Sequence, residues 1–174
     1  TASSESPHSA SVLRGESLRR AELTLLVVED EDAVRRVAQK TLERAGFRVL
    51  SAPSGEDALA MLDEIDRSRS IEAEHTEAEI RQAPFDLLVT DVMLPGMNGR
   101  QLADLLRARY EHPLVLYTSG FTDDDMLRLG IHRSELRFLP KPYTTKVLVT
   151  LVRDMLGVKA DSEEDISEAK SSAR

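Results

Sequence analysis

The chain has no cysteine in its 174 residues. That excludes a disulfide scaffold, a thiol nucleophile and a thiolate metal site, and it fits a reducing compartment. No apolar run approaches the roughly 20 residues a membrane-spanning helix needs. Positive charge is scarce: 23 lysines and arginines face 31 aspartates and glutamates, for a net charge of −8. A basic footprint for nucleic acid is therefore missing, and adsorption to an anionic membrane surface is disfavoured. No GxxxxGK[ST] loop is present, which argues against a nucleotide switch. Ser119 lacks a GxSxG setting, which argues against a serine hydrolase. His8, His75, His112 and His132 are scattered without metal-ligand spacing. Residues 1–22 have arginines but no apolar core segment, so they do not read as a secretory signal. The first residue is Thr1 rather than methionine, which reads as a cut or processed product.

What is present suits one domain with tails. Hydrophobic residues make up 41% and charged residues 31%, enough for a packed core. Residues 1–22 are serine-rich and read as a flexible tail, and residues 158–174 as an acidic tail, because neither segment has the apolar surface to offset its ordering entropy. The domain is expected over residues 23–157. Within it strand and helix patterns alternate. Leu23 to Val28 is a near-continuous apolar run that stops at Glu29 and Asp30, as a strand buried on both faces would. Val34, Val37, Ala38, Leu42 and Ala45 follow at helical spacing, with Gly46 at the C-cap. Phe47 to Ala52 is a more polar strand, nearer an edge. Ser54 caps a helix with Ala58, Met61, Leu62 and Ile65 on one face. Phe85 to Thr90, Leu114 to Thr118 and Arg137 to Leu139 are further strands. Helices are expected over residues 99–110 (Leu102, Leu105 and Leu106 inward), 122–129, and 144–156 (Val147, Leu148, Leu151, Val152 and Met155 inward). The result is a doubly wound α/β fold with a five-stranded parallel sheet flanked by helices. Residues 66–84 interrupt this rhythm as a charged, glycine-free insert that either extends the second helix or forms an extra one on the surface.

In open parallel sheets, ligands bind beyond the C-terminal strand ends. Strand 1 ends in Glu29 and Asp30, strand 3 in Asp91, strand 4 in Thr118 and Ser119, and strand 5 in Lys141. Three carboxylates, a hydroxyl or two and one ammonium therefore converge on one edge. The acids repel and raise one another's pKa unless a cation neutralises them. An all-oxygen donor set selects a hard ion, most naturally Mg²⁺. A central carboxylate beside metal, ammonium and hydroxyl suits a phosphoryl acceptor. A purely structural acid cluster paired with Lys141 is the competing reading. Gly96 and Gly99 read as turn formers after Asp91, and Asn98 as a helix cap.

The stretches VVEDED, VTDVMLPGMNG, YTSGF and FLPKPY resemble receiver domains of two-component response regulators. YTSGF and FLPKPY are most similar to receivers at the C-terminal end of hybrid sensor histidine kinases. The resemblance spans about residues 23–156, apart from the insert. It implies a flavodoxin-like sheet in the order 2-1-3-4-5. It also implies that Asp91 accepts the phosphoryl group. Asp30 would ligate Mg²⁺ directly and Glu29 directly or through water, with Asp91 and the backbone carbonyl of Met93 completing the protein ligands. Lys141 would pair with the acceptor and the phosphoryl group. Ser119 would be the switch hydroxyl, chosen over Thr118 because it precedes Gly120, and Phe138 the switch aromatic. Pro142 matches a proline whose preceding bond is cis.

The implied function is phosphorelay signalling with Mg²⁺ as cofactor. The partner is a sensor histidine kinase or a histidine phosphotransfer protein. No nucleic acid or direct membrane contact is implied, the location is cytoplasmic, and a homodimer is compatible. The chain would catalyse only its own phosphorylation and dephosphorylation. A receiver fold that binds without phosphorylation is one rival. An aspartyl-phosphate phosphatase is another, weakened because Met93 stands where such enzymes carry a second acid. Whether the chain stands alone or ends a larger sensor kinase is left open.

Overall fold

In a computed structural model the described residues are 23–72, 82–120 and 137–158. The apolar run at the start of the domain forms β1 (Thr24–Val28), every residue of which is buried. That burial follows from its central place: the sheet order is β2-β1-β3-β4-β5, all pairs parallel. β2 (Arg48–Ala52), the more polar strand, lies at the edge. β3 (Leu87–Asp91) is buried throughout, β4 (Leu114–Ser119) nearly so, and β5 (Arg137–Pro140) closes the other edge.

Side chains alternate across the sheet and feed two cores. Leu26, Val28, Leu88 and Tyr117 pack with Leu62, Leu102 and Leu106 on one face. Leu25, Val27, Leu87, Val89 and Leu116 pack with Leu42, Leu148 and Val152 on the other. Each fully buried leucine contributes about 1.5–3 kcal/mol. Helices α1 (Asp32–Arg44) and α4 (Thr145–Leu156) cover the second face. Helices α2 (Gly55–Glu72) and α3 (Gly99–Arg109) cover the first.

Local signals explain the helix ends. Ser54 Oγ accepts from the Asp57 amide at 3.0 Å, Thr144 accepts from the Val147 amide, and Asn98 forms a reciprocal capping box with Gln101. Gly46 follows the α1 C-cap with φ 93°. Three expected inward residues are corrected. Val37 (57% exposed), Leu105 (47%) and Val147 (48%) point outward. A helix lying on a sheet buries a stripe centred on i and i+4, here Ala38/Leu42, Leu102/Leu106 and Leu148/Val152. Each corrected residue sits one position before a member of that stripe and rotates off it. The insert's first residues extend α2 to Glu72, and Ile71 is 78% exposed, as a surface segment would be. The two tails, the rest of the insert through residue 81 and the helix expected over 122–129 lie outside the described residues.

Candidate functional site

The parallel arrangement brings four strand ends to one edge. Asp91 closes β3 and pairs in register with Thr118, and Ser119 pairs with Pro140. Glu29 continues the β1 direction, its amide donating to the Ala52 carbonyl at 3.2 Å. Glu29 and Asp91 are buried while Asp30 is exposed, and carboxylate oxygens of all three lie within 4.8 Å of one another.

Lys141 reaches into this cluster from beyond β5. Its amide donates to the Ser119 carbonyl at 2.7 Å. Its Nζ donates to Glu29 Oε2 at 2.7 Å and to Asp91 Oδ2 at 2.5 Å. The Lys141–Pro142 peptide is cis. Burial pushes the Glu29 carboxyl above its ordinary range, and the bond from Lys141 only partly pulls it back. Burial works against the Lys141 ammonium, yet its hydrogen bonds to Asp91 and Glu29 outweigh that and hold it above the usual lysine range. One ammonium is thus shared between two buried acids with a third acid beside them. Three oxygen donors of hard character with residual negative charge fit a divalent cation such as Mg²⁺.

The loop after β3 is folded tightly around Asp91. The Met93 amide donates to Asp91 Oδ1 at 2.8 Å, and the Val92 amide to the Thr118 carbonyl at 2.9 Å. Gly96 has φ 76°, as a turn former does. Gly99 is a correction. It opens α3, and a Cβ there would stand 2.1 Å from the Asp91 carbonyl oxygen, so its role is close approach rather than turning. Sequence reasoning saw the glycine but not the contact, which joins residues eight apart across a loop.

At the end of β4, Thr118 and Ser119 are both buried. Side chains alternate, so Ser119 shares the sheet face of Tyr117, and Thr118 that of Leu116. Phe138, half-buried opposite Tyr117, packs on the Ser119 side. Sequence reasoning missed Arg35. Its Nη1 donates to the backbone carbonyls of Glu29 (2.8 Å) and Asp30 (3.3 Å), and its Nη2 to Asp32. The only available signal was a basic residue in the first turn of the helix that follows the two acids.

Residues 25–153 match the response regulator receiver domain family. The chain is 33% identical over 133 residues to the sensor kinase CckA of Brucella abortus, covering 76% of this chain and 12% of that protein. It is 34% identical over 133 residues to the transcriptional regulatory protein AfsQ1 of Streptomyces coelicolor, covering 76% of this chain and 51% of that one. The chain therefore spans only part of these relatives. Among solved structures, the receiver domain of the hybrid histidine kinase CckA superposes with a TM-score of 0.56 at 32% identity, over 76% of this chain and 98% of that one. A receiver domain from Clostridium thermocellum gives a TM-score of 0.58 at 23% identity, over 78% of this chain and 94% of that one, a likeness of fold.

Proposed function

The chain belongs to the response regulator receiver domain family of two-component systems, and on that premise we propose that Asp91 takes a phosphoryl group from a phosphohistidine and that the phosphate resets a protein-interaction face. The observation that carries this reading is the convergence of Glu29, Asp30 and Asp91 around the Lys141 ammonium. The receiver unit is taken as residues 23–157, and the donor as a sensor histidine kinase or a histidine phosphotransfer protein. Among the described residues no helix is long and apolar enough to cross a membrane.

An Asp91 carboxylate oxygen attacks phosphorus in line. The P–O bond forms as the P–N bond breaks to a donor imidazole that carries a proton on its other nitrogen, leaving an acyl phosphate and a neutral histidine. Lys141 already sits against Asp91 Oδ2 and follows the charge onto the phosphoryl oxygens. The Met93 amide, bound to Asp91 Oδ1, holds the carboxylate's orientation. Glu29, Asp30, Asp91 and the Met93 carbonyl would hold Mg²⁺, which would supply charge neutralisation for the transferring oxygens. Ser119 then donates to the phosphate. Phe138, on the same sheet face, follows it and shifts a pre-existing equilibrium toward the active state. Chemistry is confined to this self-modification.

The test is incubation with acetyl phosphate or a phosphorylated kinase in Mg²⁺. One phosphate is expected, about 80 Da and labile to mild base, and Asp91→Asn should abolish it. Full modification of that variant overturns the reading. For the switch, Ser119→Ala should accept phosphate yet lose most of the amide shifts that beryllofluoride induces near Phe138. If Thr118→Ala loses them instead, the switch hydroxyl is Thr118.

A further inference from the structure

β1 releases two consecutive acids at the sheet edge. A chain leaving a strand there has backbone carbonyls to satisfy, and its freedom would let both carboxylates swing. Arg35 meets both needs from the first turn of α1. Its Nη1 bridges the Glu29 and Asp30 carbonyls at 2.8 and 3.3 Å, while Nη2 is anchored on Asp32. The side chain is only 16% exposed. Its neighbour Arg36, 70% exposed, also binds Asp32, at 2.6 Å, so a helix-surface ion pair exists without Arg35. What Arg35 adds is a rigid fork laid across the backbone of the two acidic residues, which a lysine's point charge does not reproduce.

We propose that Arg35 is a positioning residue for the cation site: by holding the Glu29 and Asp30 carbonyls it aims both carboxylates toward Asp91 before the ion arrives. The proposal rests on the reading of Glu29 and Asp30 as ligands. Arg35 touches neither phosphoryl group nor ion. Its loss should therefore weaken Mg²⁺ binding and leave the chemistry at Asp91 and Lys141, on other strands, intact once Mg²⁺ saturates.

The probe is Mg²⁺ alone, titrated into the intact protein and followed by the amide resonances of residues 91–93. The same Mg²⁺ series is repeated for acetyl phosphate-driven phosphorylation. Arg35→Ala should raise the dissociation constant about tenfold, the scale of losing charge-assisted hydrogen bonds. The phosphorylation rate at saturating Mg²⁺ should stay within about twofold of wild type. Arg35→Lys should weaken binding about threefold, because the charge remains and the fork does not. Urea unfolding in chelator checks that each variant is folded, and Arg35→Lys carries the test if Arg35→Ala is not. Wild-type Mg²⁺ affinity in the folded variants, or a lower saturated rate with unchanged affinity, overturns the proposal. Asp30→Ala separates the two levels. If it too binds Mg²⁺ like wild type, the ligand reading fails. If it loses binding while Arg35→Lys matches wild type, only the role of Arg35 fails.

Discussion

Among the described residues two clusters of acids lie at opposite ends of the sheet. Helices run against the strands, so the C-terminal ends of α2 and α3 meet at the edge far from Asp91. There Asp66 accepts from Arg109 (Nε at 3.2 Å, Nη2 at 2.8 Å), from the Tyr110 hydroxyl at 2.7 Å and from Arg69 at 3.5 Å. Arg109 also binds Asp63 at 2.6 Å and lies over the Tyr110 ring, 5.2 Å from its centre. Four donors there fill the acceptor capacity of one carboxylate. At the other edge a single ammonium serves Glu29 and Asp91, with Asp30 beside them. The residue types are similar but the charge balance differs: two arginines offset Asp63 and Asp66, whereas one lysine faces three acids. A saturated cluster has no remaining affinity and fastens two helices together. An undersaturated one, its repulsion held in place by the fold, is what the proposed binding of a cation and a phosphoryl group requires.

The sharpest break of this contrast is to remove Lys141, the ammonium that the described residues place in the undersaturated cluster. Lys141→Ala should slow phosphorylation by acetyl phosphate about hundredfold, the scale of losing a preorganised electrostatic partner, read as the rate of mass increase. Supplying the missing charge is the complementary test. Mg²⁺ at a hundred times its dissociation constant should raise the free energy of unfolding by about 2.7 kcal/mol if the unfolded chain does not bind it. Asp30→Ala should lose most of that gain in urea unfolding, and Glu29→Ala less.

Disturbing the saturated cluster should do the reverse. Asp66→Ala leaves the buried Tyr110 hydroxyl without this acceptor and Arg109 with Asp63 alone, and should cost about 2 kcal/mol of stability, with phosphorylation unchanged. The smallest effect is one of pH. Burial first, then the hydrogen bond to Asp66, push the Tyr110 hydroxyl well above its ordinary value. A group whose folded pKa is raised contributes stability below its unfolded value, near 10, and loses it as pH rises toward the folded one. Urea midpoints should therefore fall above about pH 10, and Tyr110→Phe should flatten part of that fall.

The sequence made the site's acids visible because position along a parallel strand is a one-dimensional property. An apolar run that stops at an acid places that acid at the edge whatever the rest of the chain does. Lys141 was visible in the same way. Arg35 was not, because its partners at the site are carbonyl oxygens, which every residue has, and its side-chain partner Asp32 reads as an ordinary helix ion pair. Nor was the Asp66 cluster, since Asp66 and Arg109, 43 residues apart, meet only when α2 and the end of α3 lie side by side. Val37, Leu105 and Val147 were misread because hydrophobic spacing gives the direction of a buried stripe but not its width. The extension of α2 to Glu72 stayed open between two outcomes because alanine and glutamate favour helix without saying where it stops.

The approach of α3 to the Asp91 backbone sets a rule for variation. At residue 99 the added carbon would overlap a backbone oxygen, 2.1 Å away, which cannot swing aside as a side chain could. At Gly120, one residue past the buried hydroxyl of Ser119, no atom of the described residues lies within 4 Å of the same imaginary carbon. In a library in which both codons are fully randomised and functional clones are sequenced, position 99 should collapse to a single letter while position 120 keeps many. Two glycines that look alike on paper thus differ in informational content, one fixed by the space beside Asp91 and the other unconstrained by any described neighbour.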